Sequence, residues 1–280
     1  MQPLGLCWGT APDAPDVETL ARLAGKHGFA SFSVTAEHYQ RSRSAGASDA
    51  DLQRLLVEQG VRVNAVDPLI CILPGAPKPV DVAPEYRKYF EFTEAQCLAA
   101  AAGLNAESVN LAHFLGTAVP VAQLIDSAGA FAQRAHRLGL KVGVEFIPGT
   151  GIPDLATAML IVSGAATRNM GVMFDTWHFD RSGGTLDQLR ALTKGVINGI
   201  QLSDRIPTPP GTTYVPMTGR SMPGDGELPL VDMLNIILPK NPGVDVGVEL
   251  FSAELRALPP DVAMQRVVTA MRKVLERVVV

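Results

Sequence analysis

The sequence contains few cysteines, and their placement excludes two classes of small stabilised domain. Cys7, Cys71 and Cys97 are the three cysteines of the 280-residue chain. An odd number of widely spaced cysteines fits neither a disulfide framework nor a cysteine-based metal motif. A reducing cytoplasm is therefore the expected compartment. The first residues, MQPLGLCWGT, have neither the basic start nor the apolar run of a signal peptide.

Blocks of basic residues and long apolar runs are also missing. The chain has 24 Lys and Arg against 28 Asp and Glu, which gives a formal net charge of −4. A protein that binds duplex nucleic acid typically carries a basic stripe, so nucleic acid is not an expected partner. The uncharged apolar stretches stay short of the roughly 18 residues that a membrane span requires, so no membrane association is expected.

Hydrophobic residues make up 47% of the chain, which is enough for a large core, and they alternate between strand-like and helix-like patterns. The predicted strands are Leu4–Trp8, Ala30–Thr35, Val61–Val66, Glu107–Leu111, Lys141–Phe146, Gly171–Phe174, Gly199–Ser203 and Val244–Leu250. The predicted helices span residues 16–27, 49–59, 91–103, 121–138, 154–163, 185–194, 229–238 and 260–277. Eight alternations predict a parallel sheet. Because no G-x-G-x-x-G turn follows the first strand, we expect a closed (β/α)8 TIM barrel.

The turns between these elements are of two kinds. Four helices end at a glycine just before the next strand, as capping glycines do: Gly28, Gly60, Gly103 and Gly139. Segments 67–90, 147–153 and 204–228, which follow strands, are long and rich in proline, glycine and polar residues. In a barrel the loops after the strands build the active site. No linker or change in composition divides the chain, so one domain is predicted over residues 1–280.

Polar side chains stand at the ends of the last four predicted strands. Glu145 ends KVGVE, Asp175 ends MGVMFD, Gln201 lies in NGIQLSD, and Glu249 lies in VDVGVELF. Singly, each could cap a helix or pair with an arginine. Consecutive barrel strands are neighbours, however, and three carboxylates so close cannot all stay ionised without a cation. Their oxygen atoms suit Mg2+ or Mn2+, and Co2+ is also compatible.

These strand ends resemble those of the xylose isomerase-like superfamily of sugar isomerases, epimerases and dehydratases. The motifs GVE, FDTxH and VELF carry the resemblance, and the eightfold alternation extends it to nearly the whole chain. The resemblance implies that Glu145, Asp175, Gln201 and Glu249 hold one divalent metal. It also implies that His178 contacts substrate or a metal-bound water. Barrels of this kind often form homodimers, although no contact can be located from the sequence.

Further residues are candidates for substrate binding. In GRSMPGDGELPL, which resembles the family's loop after the seventh strand, Arg220 is expected to reach the substrate. Trp177 is a candidate to pack beside a sugar ring, and His113 lies on the same face; a structural role is open for both. Glu37 and His38 follow the second strand slightly later than the family's usual acidic residue, so their reach to the site is an open question.

The resemblance implies proton transfer next to the carbonyl of a small polyhydroxylated substrate through a metal-stabilised enediolate. Glu145 and Glu249 are the acid/base candidates, and His178 is the alternative base or the acid for a leaving hydroxyl. The leading hypothesis is an isomerase or epimerase. Gln201 replaces the usual histidine and is similar to 3-dehydroshikimate dehydratases, so a dehydratase of that or the inosose type is the alternative.

Two further hypotheses are weaker. A DNA-repair endonuclease on the same barrel would need more metal-binding histidines and a basic groove, whereas the chain has five histidines and a net charge of −4. A catalytically inactive barrel that only binds a ligand is disfavoured because Glu145, Asp175 and Glu249 are all present.

Overall fold

The structure, a computed structural model, describes residues 2–207, 209, 211–213, 215 and 218–279. Eight parallel strands close into a barrel: β1 Leu4–Leu6, β2 Ser31–Val34, β3 Arg62–Leu69, β4 Ser108–Ala112, β5 Lys141–Glu145, β6 Met170–Asp175, β7 Ile197–Leu202 and β10 Val246–Val248. Two more strands, β8 Asp204–Arg205 and β9 Arg220–Ser221, form a separate antiparallel pair. The predicted (β/α)8 barrel is confirmed.

The helices surround this barrel and connect its strands. They are α1 Val17–His27, α2 Ala36–Ser44, α3 Asp49–Gln59, α4 Arg87–Glu91, α5 Glu94–Gly103, α6 Val121–His136, α7 Leu155–Gly164, α8 Thr176–Arg181, α9 Leu186–Ala191, α10 Leu230–Ile237, α11 Ala253–Arg256 and α12 Pro260–Leu275. Every predicted helix overlaps one of them. Four short helices, α2, α4, α8 and α11, were not predicted, and all lie in connections that follow a barrel strand. These connections form the mouth at the C-terminal ends of the strands.

The helix ends confirm most of the predicted capping glycines. Gly28 and Gly60 follow α1 and α3 in the left-handed conformation, with φ of 76° and 65°. Gly103 was wrongly predicted as such a cap, because it is the last residue of α5 and the positive φ falls on Asn105. A Cβ atom at Gly103 would lie 2.5 Å from Tyr39 Oη, so close packing explains the glycine.

The hydrophobic core lies between the barrel and its helices. Helix α6 illustrates why the sequence folds this way, because its apolar residues recur at helical spacing and all are at most 1% exposed: Leu124, Ala128, Phe131, Ala132 and Ala135. Such a stripe buries one helix face against the sheet. Within the part of the chain that is described, no helix combines the length and apolar character needed to cross a bilayer.

Candidate active site at the C-terminal mouth

The four predicted metal ligands lie at the same end of four neighbouring strands. Glu145 and Asp175 are the last residues of β5 and β6, Gln201 is the penultimate residue of β7, and Glu249 directly follows β10. Each is at most 5% exposed. Gln201 Nε2 donates a hydrogen bond of 2.9 Å to Glu249 Oε1. The strand ends therefore converge, as the sequence predicted.

A fourth carboxylate, Asp67, belongs to the same cluster. The side chain of Asn110 donates 2.8 Å hydrogen bonds to both Asp67 Oδ1 and Glu145 Oε2, and Gln201 Nε2 lies 3.4 Å from Asp67 Oδ2. Sequence analysis missed Asp67 because the third strand was predicted to end at Val66, whereas β3 continues to Leu69. Its signal was an acidic residue after the apolar run VNAV, the same signal that identified Glu145.

A thiol extends the cluster on the side of β1. Cys7 directly follows β1 and is 4% exposed. Its Sγ donates a 3.1 Å hydrogen bond to Glu249 Oε1. Burial, with the nearby charges of Glu249 and Asp67, raises the pKa of the Cys7 thiol well above its ordinary value. The protonated thiol is therefore a hydrogen-bond donor to Glu249 in this structure.

Arg220, predicted to bind substrate, contacts two of the proposed metal ligands. Its Nη1 lies 2.8 Å from Asp175 Oδ2 and its Nη2 lies 2.9 Å from Glu249 Oε2, and its side chain is 2% exposed. Nη1 also donates to Ser203 Oγ at 2.9 Å. The guanidinium carbon lies 5.0 Å from the centre of the Trp177 ring, a cation–π distance. Trp177 thus contacts Arg220 and does not line the cavity described below.

Local structure positions these side chains. Asp175 caps α8, because its Oδ1 accepts hydrogen bonds from the backbone amides of Trp177 (2.7 Å) and His178 (2.9 Å). This cap places His178 beside Glu145, with 3.6 Å between Nε2 and Oε1. The β8–β9 pair, in which Arg205 is opposite Arg220, brings Arg220 over the mouth. The short helix α8 and this strand pair are therefore the elements that position His178 and Arg220.

The pKa values of the carboxyl groups in the cluster are shifted in different directions. Burial, followed by repulsion from Glu249, Asp67 and Asp175, raises the pKa of Glu145 well above its ordinary value. Burial raises the pKa of Glu249 to about 8 and that of Asp67 to about 6. For Asp175 burial acts in the same direction, but the charge of Arg220 and the hydrogen bonds from Arg220 and from the backbone amide of His178 outweigh it, so its pKa lies below the ordinary value.

His178 is neutral in this environment. Burial lowers its pKa to about 4, against the opposing attraction of Asp175 and with the support of Arg220. The neutral imidazole is able to accept a proton or to share one with a bound hydroxyl group.

The donor set fits a hard divalent cation. Ligand atoms of Glu145, Asp175 and His178 lie within 4.8 Å of one another, and so do those of Cys7, Asp67 and Glu249. Gln201 Oε1 is buried and has no hydrogen-bond partner among the described residues. The raised pKa values of Glu145 and Glu249 show that the cluster disfavours four ionised carboxylates, and a bound cation would stabilise their ionised forms. The glutamine oxygen and the carboxylates are the ligand types that such ions prefer.

A cavity of about 70 Å³ opens above the cluster. Asp67, Glu145, His178, Arg220 and Glu249 form its polar floor. Its walls are largely apolar and include the aromatic rings of Trp8, Tyr89, Phe114 and Phe251. The ring centres of Trp8 and Tyr89 lie 5.4 Å apart, and those of Trp8 and Phe251 lie 5.9 Å apart. A ligand here would meet polar groups below and aromatic faces at the sides.

Three candidate substrate-binding residues do not line this cavity. His113 is fully buried and joins two loops, because its Nδ1 accepts from the Gly151 amide at 2.8 Å and its Nε2 lies 2.9 Å from the Pro74 carbonyl oxygen. Glu37 pairs with Arg41 and Lys88 at the rim. His38 caps α2, and its ring centre lies 6.4 Å from that of Trp8. These contacts join the three residues to other parts of the protein, and their role in substrate binding stays a prediction.

Comparison with known proteins agrees with the fold. The model of the xylose isomerase-like TIM barrel family matches residues 21–275. An inosose isomerase of Halalkalibacterium halodurans is 30% identical over 133 residues, a match that covers 47% of this chain and 46% of that relative. The chain is thus aligned with somewhat less than half of that relative's length.

Two solved structures show the same architecture over the whole chain. The IOLI protein, solved with a bound zinc atom, has a TM-score of 0.83 at 18% identity, covering 100% of this chain and 99% of that one. The probable 3-DHS dehydratase AsbF of Bacillus anthracis has a TM-score of 0.72 at 12% identity, covering 96% and 98%. At these identities the likeness establishes the fold alone. Since the family model covers most of the sequence, the chain belongs to the xylose isomerase-like TIM barrel family.

Proposed function

We propose that this chain is a divalent-metal-dependent isomerase or epimerase that moves protons next to the carbonyl group of a neutral polyhydroxylated ketone. The observation that carries the proposal is the meeting of Asp67, Glu145, Asp175 and Glu249 beneath one cavity, with Arg220 as the only cationic side chain that lines it among the described residues. Full ionisation of such a cluster would require a cation, and a cation beside acid/base carboxylates suits this chemistry.

Glu145, Asp175, Gln201 and Glu249 would hold the metal, which when bound would polarise the substrate carbonyl as a Lewis acid. Mn2+ or Mg2+ is the proposed ion because the four residues offer oxygen atoms. Cys7 is not among the proposed metal ligands, because its raised pKa keeps the thiol protonated and the thiol donates a hydrogen bond to Glu249.

The chain's own groups would carry the protons. Glu145 and Glu249 approach the cavity from β5 and β10 and are separated along the barrel wall by β6 and β7, so one could remove a proton from one face and the other return it. His178, between Glu145 and Arg220, would hold the proton of a substrate hydroxyl group. The aromatic walls would exclude water from the reacting carbon.

The charges of the cavity favour a substrate without a phosphate or carboxylate group. The two terminal nitrogens of Arg220 already bind Asp175 and Glu249, so no cationic side chain of the described cavity is left for an anion. Hydroxyl groups could still bind to the carboxylates, and the C–H face of a ring could pack against Trp8 and Phe251. The similarity to an inosose isomerase, whose name denotes a ketone of a cyclic polyol, agrees with this substrate class.

A dehydratase is the second candidate, and Gln201 is the observation that favours it. The side-chain amide of Gln201 stands where the family's epimerases usually have a histidine, and it donates to Glu249 rather than titrating. With the same ketone, loss of a hydroxyl group would follow the first proton transfer if His178 donated a proton to the leaving oxygen.

One experiment separates the two reactions. The purified protein, treated with EDTA and reloaded with Mn2+, is incubated in D2O with inosose and with open-chain ketoses and followed by NMR and ultraviolet absorbance. Deuterium at the carbon next to the carbonyl, with a new stereoisomer, supports the isomerase. A conjugated enone supports the dehydratase. If the Mn2+-loaded protein exchanges no C–H hydrogen and forms no enone with any of them, the proposal fails.

Some predictions from the sequence stay predictions. The cytoplasmic location and a homodimer are proposals of this kind, and size-exclusion chromatography with light scattering would test the homodimer.

The alternative of a barrel that only binds its ligand has its own signature. Such a protein would show metal and polyol binding by calorimetry without the C–H exchange described above.

A further inference from the structure

The part of the barrel below the site, towards the N-terminal ends of the strands, contains a cavity. Barrels of this class are normally filled by layers of large branched side chains. Here five of the eight barrel strands carry a glycine at the level beneath the active-site residues: Gly5, Gly143, Gly171, Gly199 and Gly247. Two of them point at interior amides, since a Cβ at Gly143 would lie 2.9 Å from Asn110 Oδ1 and one at Gly5 would lie 3.2 Å from Asn64 Nδ2.

A cavity of about 420 Å³, here called the axial cavity, lies in this part of the barrel, and Gly171, Gly199 and Gly247 are among the residues that line it. All eight barrel strands contribute to its lining. At the N-terminal rim it is bounded by Lys141, Arg168 and Lys194, and at the other end by Cys7, Asp67 and Gln201. Asp67 also forms part of the floor of the smaller cavity at the mouth. The two cavities therefore meet at one buried side chain.

The wall of the axial cavity carries polar side chains, and some of their hydrogen-bond acceptors have no partner. The amide nitrogen of Asn64 donates to Ser31 Oγ at 3.1 Å, and that of Asn198 donates to the Val142 carbonyl oxygen at 2.9 Å. The amide oxygens of both residues are buried without a hydrogen-bond partner in the described chain. Buried acceptors that the protein leaves unpaired are normally satisfied by water, and the cavity is large enough to hold it.

We infer that the barrel interior is a water-filled passage that joins the N-terminal face of the protein to the underside of the active site. The aromatic walls of the upper cavity leave a bound ketone little water at the mouth. Water could then reach the carboxylates from below while substrate covers them. This functional consequence rests on the proposed reaction, whereas the wet passage itself does not.

The first test counts buried water. Oxygen-17 relaxation dispersion and a high-resolution crystal structure of the Mn2+-loaded protein should find on the order of ten ordered waters along the axis. A double variant, Asn64→Leu with Asn198→Leu, should lose most of them because its apolar side chains occupy the narrow part and offer no hydrogen bonds. The matched double variant, Asn64→Ser with Asn198→Ser, should keep them. A dry interior in the wild-type protein overturns the inference, whichever variants fold.

The second test asks whether the passage serves the site. During turnover in D2O, the wild-type and serine proteins should incorporate solvent deuterium into the product at similar levels, and the leucine protein should incorporate less. A wet passage with equal incorporation in all three proteins would show that it does not supply the site. If no ketone reacts at all, the proposed reaction fails, and the water count still decides whether the passage exists.

Discussion

At the scale of single residues, Glu145 offers the sharpest separation between catalysis and stability. Glutamine at this position keeps the shape of the side chain and an oxygen that can accept the Asn110 hydrogen bond. It replaces a carboxyl group whose ionised form is already disfavoured by burial and by repulsion from Glu249, Asp67 and Asp175, which raise its pKa. We expect Glu145→Gln to lower kcat by about 10²–10⁴-fold, the usual contribution of one acid/base group, while the melting temperature stays the same or rises.

The control for this variant is Glu58→Gln, an exposed substitution on α3 with the same change of charge. It should leave both kcat and the melting temperature unchanged. Turnover is measured by the NMR assay and folding by circular dichroism. A Glu145→Gln protein that is unfolded would mean that the carboxylate is structural, and one that is fully active would remove Glu145 from the acid/base pair.

His38 gives a prediction about pH that is independent of the metal. Burial lowers its pKa from 6.5 to about 4, with Glu37 opposing the shift and Lys88 and Arg41 adding to it. A histidine whose folded-state pKa is depressed stabilises the native state above the unfolded pKa, and this stability is lost as the pH falls through about 4. Between pH 7 and pH 4 the loss from this residue is about 3 kcal/mol.

The test variant is His38→Gln, because glutamine can keep the capping box that His38 forms with Thr35. The chain uses the same arrangement at Thr93 and Gln96. The free energy of unfolding in urea should fall less steeply between pH 7 and pH 4 for this variant than for the wild-type protein. If the free energy of unfolding of the two proteins falls in parallel with pH, then His38 is charged in the native state, or Thr35 has lost its capping partner in the variant.

At the scale of elements, the strands and the long helices follow from pattern, but the features that shape the mouth do not. The alternation of apolar runs with amphipathic segments is enough to predict a barrel, because parallel strands are buried on both faces whereas each helix buries only one. Helix α8 has six residues, too few for a periodic stripe, and depends on the cap from Asp175. The position of Arg220 depends on its contacts with residues far away in the sequence. No local sequence pattern therefore predicts that it pairs with Asp175 and Glu249.

The β8–β9 pair yields a prediction of its own, because Asp204 holds it together. This buried carboxylate accepts hydrogen bonds from the backbone amides of Arg205 (2.8 Å), Gly224 (3.0 Å) and Leu228 (2.8 Å). Asp204→Ala would leave these amides unpaired. We expect the free energy of unfolding to drop by about 1–3 kcal/mol and kcat/KM to fall because Arg220 is no longer held over the site.

Asp187→Ala is the matched control, since Asp187 lies on α9 with 90% of its side chain exposed. It should change neither quantity by more than the measurement error. The two proteins are compared by urea unfolding and by the rate of the ketone reaction. An Asp204→Ala protein with wild-type kcat/KM would show that Arg220 keeps its place through Asp175 and Glu249 alone.

At the scale of the whole molecule, binding of the proposed metal would be coupled to folding through the closure of the barrel. Asp67, Glu145, Asp175 and Glu249 come from four different strands, so the cluster exists only when β3, β5, β6 and β10 are assembled. An ion that binds the native state and not the unfolded chain stabilises it by about 2.7 kcal/mol at 100 times its dissociation constant. We therefore expect Mn2+ to raise the melting temperature of EDTA-treated protein.

The same measurement decides which ion the site takes. Mn2+ or Mg2+ should restore both the melting temperature and the ketone reaction after chelation, and should do so better than Zn2+, because the proposed ligands are all oxygen atoms. In Glu249→Gln the increase in melting temperature should largely disappear, since this variant loses one anionic ligand, whereas Glu58→Gln should keep the full increase. Rescue by Zn2+ alone would instead indicate that Cys7, whose thiol lies 3.1 Å from Glu249 Oε1, gives up its proton and joins the ligands. The variant Cys7→Ser would then abolish the response to zinc, and the oxygen-only ligand set would be wrong.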